Sequence, residues 1–306
     1  MTAAHYSGEI KGWWIRIVRP PFPLKVVYWD YSLQTIDLIL TNFIEALPLA
    51  SALPKRIFVQ YGQKWYGVHL GATKVPDVED DPRLDLEPNL YYTQHDILTS
   101  FCSKHDLSWS AALPSFIMGC SLDSFQTLMF PILIYASVQK HLGKKLEYPS
   151  DVTAWLAPLS LSNAVLDSYL YEWSTLSPHT ANQLFNASDD CAFTWGKFWP
   201  RLAAKFDMPY TKPDTSAHFK EKGMPADPPP HGMDGRSVLK FRFTFVEWAK
   251  DPANVAAWRE LAEEHQLRES AREWKDVGSV FGRADFALLR PYPSLMRYVS
   301  IGSQQD

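Results

Sequence analysis

Apolar positions in the first half of the chain follow two spacings, one typical of buried strands and one typical of helices. Short, mainly apolar runs at 25–29, 56–60 and 108–114 predict strands. Between the first two runs, apolar residues recur at helical spacing on one face: Ile36, Ile39, Leu40, Phe43 and Leu47. Another segment with helical spacing begins at the adjacent tyrosines Tyr91 and Tyr92. This alternation predicts an α/β fold with a parallel sheet and helical crossovers.

The second half of the chain has a mainly helical pattern. Helices are predicted at 126–141, at 161–176, at 194–206 and from Asp251-Pro252 onward, with one short strand at 182–186. Residues 212–236 are rich in Pro, Gly and charged residues, which predicts a loop or lid. We therefore expect an α/β domain over 1–165 and a smaller, mostly helical region over 166–306.

Composition limits the classes of protein to which this chain can belong. Its 306 residues are enough for a sizeable core, and 46% hydrophobic with 21% charged residues is typical of a globular protein. A net charge of -4 gives no reason to expect nucleic acid or an anionic membrane as a partner. Residues 1–12 lack the apolar core of a signal peptide, and the longest apolar run, 128–138, is too short to span a bilayer. We expect a cytoplasmic protein.

Metal sites and serine hydrolase chemistry find little support in the sequence. The cysteines Cys102, Cys120 and Cys191 are far apart, which indicates free thiols in a reducing compartment. The nine histidines are dispersed and no HExxH motif occurs, so no metal site is predicted. Residues 119–123 lack the second glycine of a GxSxG elbow, so a serine hydrolase is not favoured.

The tyrosine pair and one lysine could supply acid–base chemistry. A tyrosine at the start of a helix can donate a proton to a pocket, but its free pKa of about 10 requires a nearby cation for work near neutrality. Lys64 offers that cation from a glycine-containing segment just after the strand at 56–60. Lys64 and Pro114 both follow predicted strand ends, where parallel sheets bind ligands. From the residues alone, buried core tyrosines and a surface lysine are the commoner interpretation of this pattern.

Six segments, in order along the chain, resemble one family of enzymes. They are 60–71, 89–98, 107–110, 114–119, 182–188 and 195–199. Over roughly 33–290 the chain is similar to the progesterone 5β-reductase and iridoid synthase-like branch of the short-chain dehydrogenases, in particular to its fungal biosynthetic-cluster members. The resemblance implies a Rossmann-like parallel sheet, and the NADPH-dependent reduction of an enone or related carbonyl of a small apolar molecule in secondary metabolism.

The resemblance also implies roles for individual residues. Tyr92 matches the family's catalytic tyrosine and would polarise the substrate carbonyl, while Lys64 would lower the pKa of that phenol and bind the nicotinamide ribose. The positions that match the family's cofactor-binding residues are Lys64, Pro114, Ser115 and Ile117. The positions expected to line the substrate pocket are Tyr66, His69 and Tyr91.

The start of the chain departs from the family pattern. No GxxGxxG motif for the pyrophosphate of a dinucleotide occurs near Met1, and the strand at 25–29 resembles the family's fourth strand. The expected Rossmann-like sheet is therefore shortened at its N-terminus, and the mostly helical region after it is expected to cover the substrate. Two alternatives remain open, a redox-neutral isomerase or cyclase that uses the same Tyr–Lys pocket and an inactive homologue or binding protein.

Overall fold

A computed structural model describes most of the chain. The described residues are 33–119, 128–189, 191–215, 218–226, 229–232, 237–267 and 277–297. The helices are α1 (Leu33–Leu49), α2 (Leu90–Lys104), α3 (Met129–His141), α4 (Val152–Leu156), α5 (Ala164–Leu176), α6 (Trp195–Lys205), α7 (Phe245–Ala249), α8 (Pro252–Glu264) and α9 (Val277–Leu288). The strands are β1 (Arg56–Gln60), β2 (Ser108–Pro114), β3 (Phe116–Met118), β4 (Leu146–Glu147), β5 (Leu161–Asn163), β6 (Gln183–Ala187), β7 (Tyr210–Thr211), β8 (Lys220–Gly223) and β9 (Val238–Phe241). None of these described helices is both long and apolar enough to cross a bilayer.

A parallel sheet of three strands organises the first half of the described chain, in the order β1–β2–β6. Arg56 at the start of β1 lies opposite Ser108 at the start of β2. The strands predicted at 56–60 and 108–114 are confirmed, and the strand predicted at 182–186 lies one residue from the observed β6. The α/β fold with a parallel sheet is thereby confirmed. The strand predicted at 25–29 lies outside the described residues.

Helices cover both faces of this sheet, because successive side chains of a strand point to opposite sides. Ile57 and Val59 of β1 are buried in one cluster with residues of α1 and α2. Phe58 lies between them and points to the other face, where its ring centroid is 4.8 Å from that of Tyr171 on α5. A parallel sheet covered in this way keeps its ligand-binding edge at the carboxyl ends of its strands.

Arg56 connects the C-terminal end of α5 to the sheet through hydrogen bonds. Its Nη1 donates to the carbonyl oxygens of Ser174 at 2.9 Å and Ser177 at 2.6 Å, and to Oγ1 of Thr180 at 2.8 Å. Its Nε donates to Oγ of Ser108 at 2.9 Å. The last carbonyl groups of a helix lack donors within the helix, and one cation satisfies them here.

Two predicted elements differ from the observed ones. The helix predicted at 161–176 begins with strand β5, which pairs in parallel with β3. The side chain of Asn163 then accepts hydrogen bonds from the main-chain N–H groups of Val165 and Leu166, so it ends the strand and caps α5. The segment 212–236, predicted as a loop or lid, contains β8, which pairs antiparallel with β9.

A second core rich in tryptophan lies among the helices. Trp195, Trp199, Phe245 and Phe281 are completely enclosed. Nε1 of Trp195 donates to the carbonyl oxygen of Ala287 at 3.0 Å, which ties α6 to α9. Members of this cluster come from both sides of the domain boundary predicted after residue 165, and that boundary stays a prediction.

Candidate active site

The ends of β1 and β2 form the edge of the sheet where the sequence predicts a site. We call this place, made of residues 61–63 and 114–115, the carboxyl edge. The main-chain N–H of Tyr61 donates to the carbonyl oxygen of Ala112 at 2.8 Å, so the strand pairing continues one residue beyond β1. The chain then enters a short 3-10 helix, Gln63–Tyr66, which carries the predicted lysine.

Asn89 fastens the start of α2 to this lysine segment. Its side-chain oxygen accepts a hydrogen bond from the N–H of Tyr91 at 3.0 Å, and its amide group donates to the carbonyl oxygen of Lys64 at 3.0 Å. Asn89 is therefore both the N-cap of α2 and a link between the two segments. One side chain sets the position of the tyrosine pair relative to Lys64.

The phenol of Tyr91 reaches the carboxyl edge. A methyl group in place of a hydrogen of Gly62 would lie 3.0 Å from the Tyr91 hydroxyl oxygen and 3.7 Å from the carbonyl oxygen of Pro114. The close approach of the phenol therefore requires glycine at position 62. Tyr91 is 5% exposed, and burial raises the pKa of its phenol above the ordinary value, while the positive charge of Arg283 opposes that rise.

The phenol of Tyr92 is held by two main-chain groups. Its hydroxyl donates to the carbonyl oxygen of Trp65 at 2.6 Å and accepts from the N–H of Leu84 at 3.1 Å. Partial burial raises the pKa of this phenol, and the Leu84 N–H and the charge of Arg83 oppose the rise. The hydroxyl hydrogen of Tyr92 is thus directed at the Trp65 carbonyl oxygen, and the catalytic role of Tyr92 stays a prediction.

Lys64 and Tyr91 share a charged neighbour. Partial loss of hydration and the positive charge of Arg283 lower the pKa of Lys64, although its side chain is exposed at the surface, and Glu87 opposes this shift. Arg283 is half-buried on α9 and also acts on the Tyr91 phenol. Lys64, Arg283 and Tyr91 therefore belong to one electrostatic neighbourhood.

The predicted nicotinamide loop is bound internally through its serine. The N–H of Ser115 donates to Oγ of Ser162 at 2.8 Å, and the Ser115 hydroxyl donates to the carbonyl oxygen of Ser160 at 2.6 Å. Pro114 is buried, and Ile117 is half-buried in β3. An apolar contact from Ile117 therefore suits a nicotinamide ring better than a polar contact from Ser115. The roles of these three residues stay predictions.

The described residues suit only one end of a dinucleotide. The Lys64 ammonium and the Tyr91 hydroxyl are donors of the kind that a ribose or a carbonyl oxygen accepts. Within the described ranges, which start at residue 33, no glycine-rich turn leads into an α-helix to hold a pyrophosphate. The same ranges contain no group of three or more His, Cys, Asp or Glu side chains that could bind a metal ion.

Tyr66 and His69, the other two residues expected to line the substrate pocket, differ in whether their polar atoms can reach a substrate. Tyr66 is 1% exposed and its hydroxyl donates to Oδ1 of Asn186 at 2.7 Å, so this group is satisfied inside the core. His69 is half-buried, with Nε2 at 2.7 Å from Oε1 of Glu87. Burial and the charge of Lys64 lower the pKa of His69, and Glu87 opposes them. His69 therefore stays a candidate for substrate contact.

Three polar residues at or near the carboxyl edge were not predicted from the sequence as site residues. Gln63 is 7% exposed, Arg290 is 2% exposed and Arg283 is half-buried. A signal was available for the arginines, because each stands in or next to the mainly apolar helix at 277–288. Charged residues in such a helix are seldom buried without a structural or functional reason.

A parallel sheet covered by helices on both faces, with its polar side chains at the carboxyl ends of the strands, defines a Rossmann-type fold. The chain belongs to the family of PRISE-like Rossmann-fold domains, whose family model matches residues 34–222. The resemblance found in the six sequence segments is confirmed.

Curated relatives carry names that agree with this family. A short chain dehydrogenase of Penicillium aethiopicum is 29% identical over 74% of this chain and 56% of its own length. An (S)-8-oxocitronellyl enol synthase of Camptotheca acuminata is 32% identical over 77% of this chain and 55% of its own length. A 3-oxo-Delta(4,5)-steroid 5-beta-reductase of Arabidopsis thaliana is 29% identical over the same shares. The chain spans about half the length of these relatives.

Proposed function

We propose that this chain is an NADP-dependent reductase that acts on the conjugated carbonyl group of a small, largely apolar molecule of secondary metabolism. The observation that carries the proposal is the position of the Tyr91 phenol, beside Gly62 and Pro114 at the carboxyl edge and in one electrostatic neighbourhood with Lys64 and Arg283. Membership of the PRISE-like family and the name of the steroid 5-beta-reductase relative support this reaction class.

The charges at the carboxyl edge suit the reduction of an enone. A bound nicotinamide cofactor would supply the hydride. When a hydride forms a C–H bond at the β-carbon, the π electrons move to the carbonyl oxygen, which becomes negatively charged. Tyr91 donates a hydrogen bond to that oxygen, and the positive charges of Lys64 and Arg283 favour its anionic form. A proton from water then adds to the α-carbon, which gives the saturated carbonyl compound.

The buried environment suits Tyr91 to the role of donor rather than base. Burial raises the pKa of Tyr91, so its phenol keeps its proton near neutrality and can donate it in a hydrogen bond. The Tyr92 phenol donates its proton to Trp65 instead. We therefore assign the catalytic phenol to Tyr91, and the assignment to Tyr92 from the family pattern is the alternative.

NADPH titration tests the class of reaction. We expect NADPH fluorescence to rise on binding and NADPH to be oxidised when an enone is added. Lys64→Gln should weaken both, because it removes a charge at the carboxyl edge. Lys55→Gln is the matched control, because Lys55 is an exposed lysine just before the opposite end of β1.

The outcomes separate the reductase from its alternatives. Turnover of a substrate without NADPH, abolished by Tyr91→Phe, would replace the reductase with a redox-neutral isomerase or cyclase. Absence of both NADPH binding and turnover would contradict an enzyme of either kind. Equal effects of Lys64→Gln and Lys55→Gln would contradict the part assigned to Lys64.

A further inference from the structure

Arg290 is a fully buried cation with two unpaired hydrogen-bond donors. The residue is 2% exposed, and its Nη1 donates to Oγ of Ser294 at 3.0 Å. Nε and Nη2 have no hydrogen-bond partner in the part of the chain that the structure describes. An unpaired buried donor costs about 1–3 kcal/mol, so the fold keeps this arrangement at a considerable cost in free energy.

The two unpaired nitrogens lie on the same edge of the guanidinium group. The N–H of Nε and one N–H of Nη2 point in the same direction in any arginine, and their spacing matches the two oxygens of a carboxylate. Ser294 binds the remaining nitrogen, Nη1, and so leaves this edge without a hydrogen bond within the described residues. The two donors that remain unpaired are those that a carboxylate accepts in a bidentate arrangement.

Aromatic rings hold the guanidinium group in place. Its central carbon lies 4.4 Å from the ring centroid of Phe286, 5.5 Å from that of Phe116 and 5.7 Å from that of Tyr292. These contacts stabilise the cation and fix its plane, but they supply no hydrogen-bond acceptor to the edge. Phe116 is itself half-buried.

No carboxylate of the described chain forms an ion pair with Arg290. Asp77 interacts with Arg290 electrostatically, but burial raises the pKa of Asp77 to about 7, so near neutrality Asp77 carries only part of a charge. Asp77 is 0% exposed and is held by Gln63 through a hydrogen bond of 3.3 Å to Oδ2. The charge of Arg290 is therefore only partly balanced from within.

Short contacts connect Arg290 to the carboxyl edge. Oγ of Ser294, which binds Arg290, also accepts a hydrogen bond from Nε2 of Gln63 at 2.8 Å. Gln63 stands in the chain between Gly62 and Lys64, and Phe116 directly follows Ser115. A small molecule bound with its carbonyl oxygen at Tyr91 would thus have Arg290 as a near neighbour.

We propose that the Nε and Nη2 edge of Arg290 binds a carboxylate group of the substrate. The substrate class of the proposed reductase is then a conjugated carbonyl compound that also carries a carboxylic acid. This assignment rests on the proposed function for the identity of the reacting group, but binding of the acid can be measured without turnover.

A matched acid and ester test the proposal. Levulinate and methyl levulinate share a ketone and differ in the negative charge, and their dissociation constants are measured by ligand-observed NMR on the whole chain. We expect wild-type protein to bind the acid roughly ten-fold more tightly than the ester, because two charge-assisted hydrogen bonds are lost in the ester. Arg290→Lys keeps the charge but loses the planar edge, and should reduce the preference to about two-fold. Arg201→Met, on the exposed side of α6, is the control and should keep the full preference.

Each result supports or overturns the proposal. Equal binding of acid and ester by the wild type overturns it, and so does a full preference in folded Arg290→Lys protein. If the variant does not fold, a crystal structure of the wild type with levulinate decides: carboxylate oxygens on Nε and Nη2 support the proposal, and any other position overturns it. Acid preference without NADPH-dependent turnover would contradict the reductase and leave this site standing.

Discussion

The tryptophan-rich core and the carboxyl edge satisfy their buried polar atoms in different ways. In the core, Nε1 of Trp195 and Nε1 of Trp199 donate to main-chain carbonyl oxygens at 3.0 and 3.2 Å, and the hydroxyl of Tyr148 does so at 2.7 Å. Near the carboxyl edge, Oδ1 of Asp77 and two nitrogens of Arg290 have no partner within the described residues. The three aromatic donors of the core are paired within the described part of the chain, whereas two charged groups near the carboxyl edge are not fully paired there. Beside the core, Oε1 of Gln139 and Oδ1 of Asn254 also lack partners within the described residues, but these are neutral amide oxygens.

This difference indicates which region contributes stability and which contributes function. An aromatic side chain whose donor is paired keeps the free energy gained by burying its large apolar surface. A buried polar group without a partner reduces stability, and such a group in a native structure calls for an explanation such as a catalytic role or a bound water, ion or ligand. Changes in the core should therefore alter folding first, and changes at the edge should alter binding and turnover first.

The largest effect on stability is expected from Trp199→Ala. The change leaves a cavity in a completely enclosed site and removes the hydrogen bond to Leu146, so the free energy of unfolding should fall by about 3–5 kcal/mol. Urea denaturation measures it. The protein that remains folded should keep its affinity for NADPH. A loss below about 1 kcal/mol would contradict the role of this core.

Gly62→Ala should lower turnover rather than stability, which is the opposite of the effect expected for Trp199→Ala. The added methyl group would lie 3.0 Å from the Tyr91 oxygen, so the phenol must shift by a few tenths of an ångström, and turnover should fall by about ten-fold with little change in stability. Steady-state kinetics and thermal unfolding measure the two effects. Gly282→Ala is the control, because the nearest atom to its methyl group would be 3.9 Å away. Unchanged turnover in Gly62→Ala would show that the phenol has no part in the reaction.

Asp77 should make stability depend on pH. Burial raises its pKa to about 7 in the folded protein, against about 3.9 in the unfolded chain. Between these two pKa values the folded protein holds a proton that the unfolded chain releases. The contribution of Asp77 to stability is therefore full below about pH 4 and is lost as the pH rises through about 7. The free energy of unfolding should fall by up to about 1.4 kcal/mol per pH unit in this range. Asp77→Asn removes the titration. Urea denaturation at about pH 5 and about pH 7 should show a smaller loss in the variant, and equal losses would contradict the buried proton.

The smallest effect on stability is expected from the caps of two helices. Asn89 caps α2 and Asn163 caps α5, and replacement of either by alanine should cost about 1 kcal/mol in chemical denaturation. Asn89→Ala should in addition lower turnover, because Asn89 also holds the main chain of Lys64. Equal turnover in the two variants would contradict the link between α2 and the lysine segment.

The sheet could be predicted from the sequence because its strands have short, buried apolar runs between turn signals. The runs at 56–60 and 108–114 match β1 and β2 without shift. Strand β5 could not be separated from the helix after it, because three residues are too few to show a strand pattern and Asn163 serves both elements. Short strands depend on their neighbours in the sheet rather than on local sequence.

The segments of the site could be predicted, but the orientation of their side chains could not. Tyr91 and Tyr92 are adjacent on a helix, so their side chains point about 100° apart, and the cap at Asn89 decides which one reaches the sheet. The position of Arg290 just after the mainly apolar helix at 277–288 was the one available signal, because by residue type an arginine is expected to be exposed. Its contacts with Ser294 and the aromatic rings come from segments distant in sequence.

The comparison of Tyr91→Phe with Tyr92→Phe tests the central claim most directly. We expect Tyr91→Phe to remain folded and to lower kcat by about 100-fold or more, because it removes the hydrogen-bond donor at the carboxyl edge. Tyr92→Phe should lose about 1–2 kcal/mol of stability, because it leaves the Trp65 carbonyl and the Leu84 N–H without a partner, and should keep kcat within about three-fold. Loss of turnover in Tyr92→Phe together with full turnover in Tyr91→Phe would contradict this account.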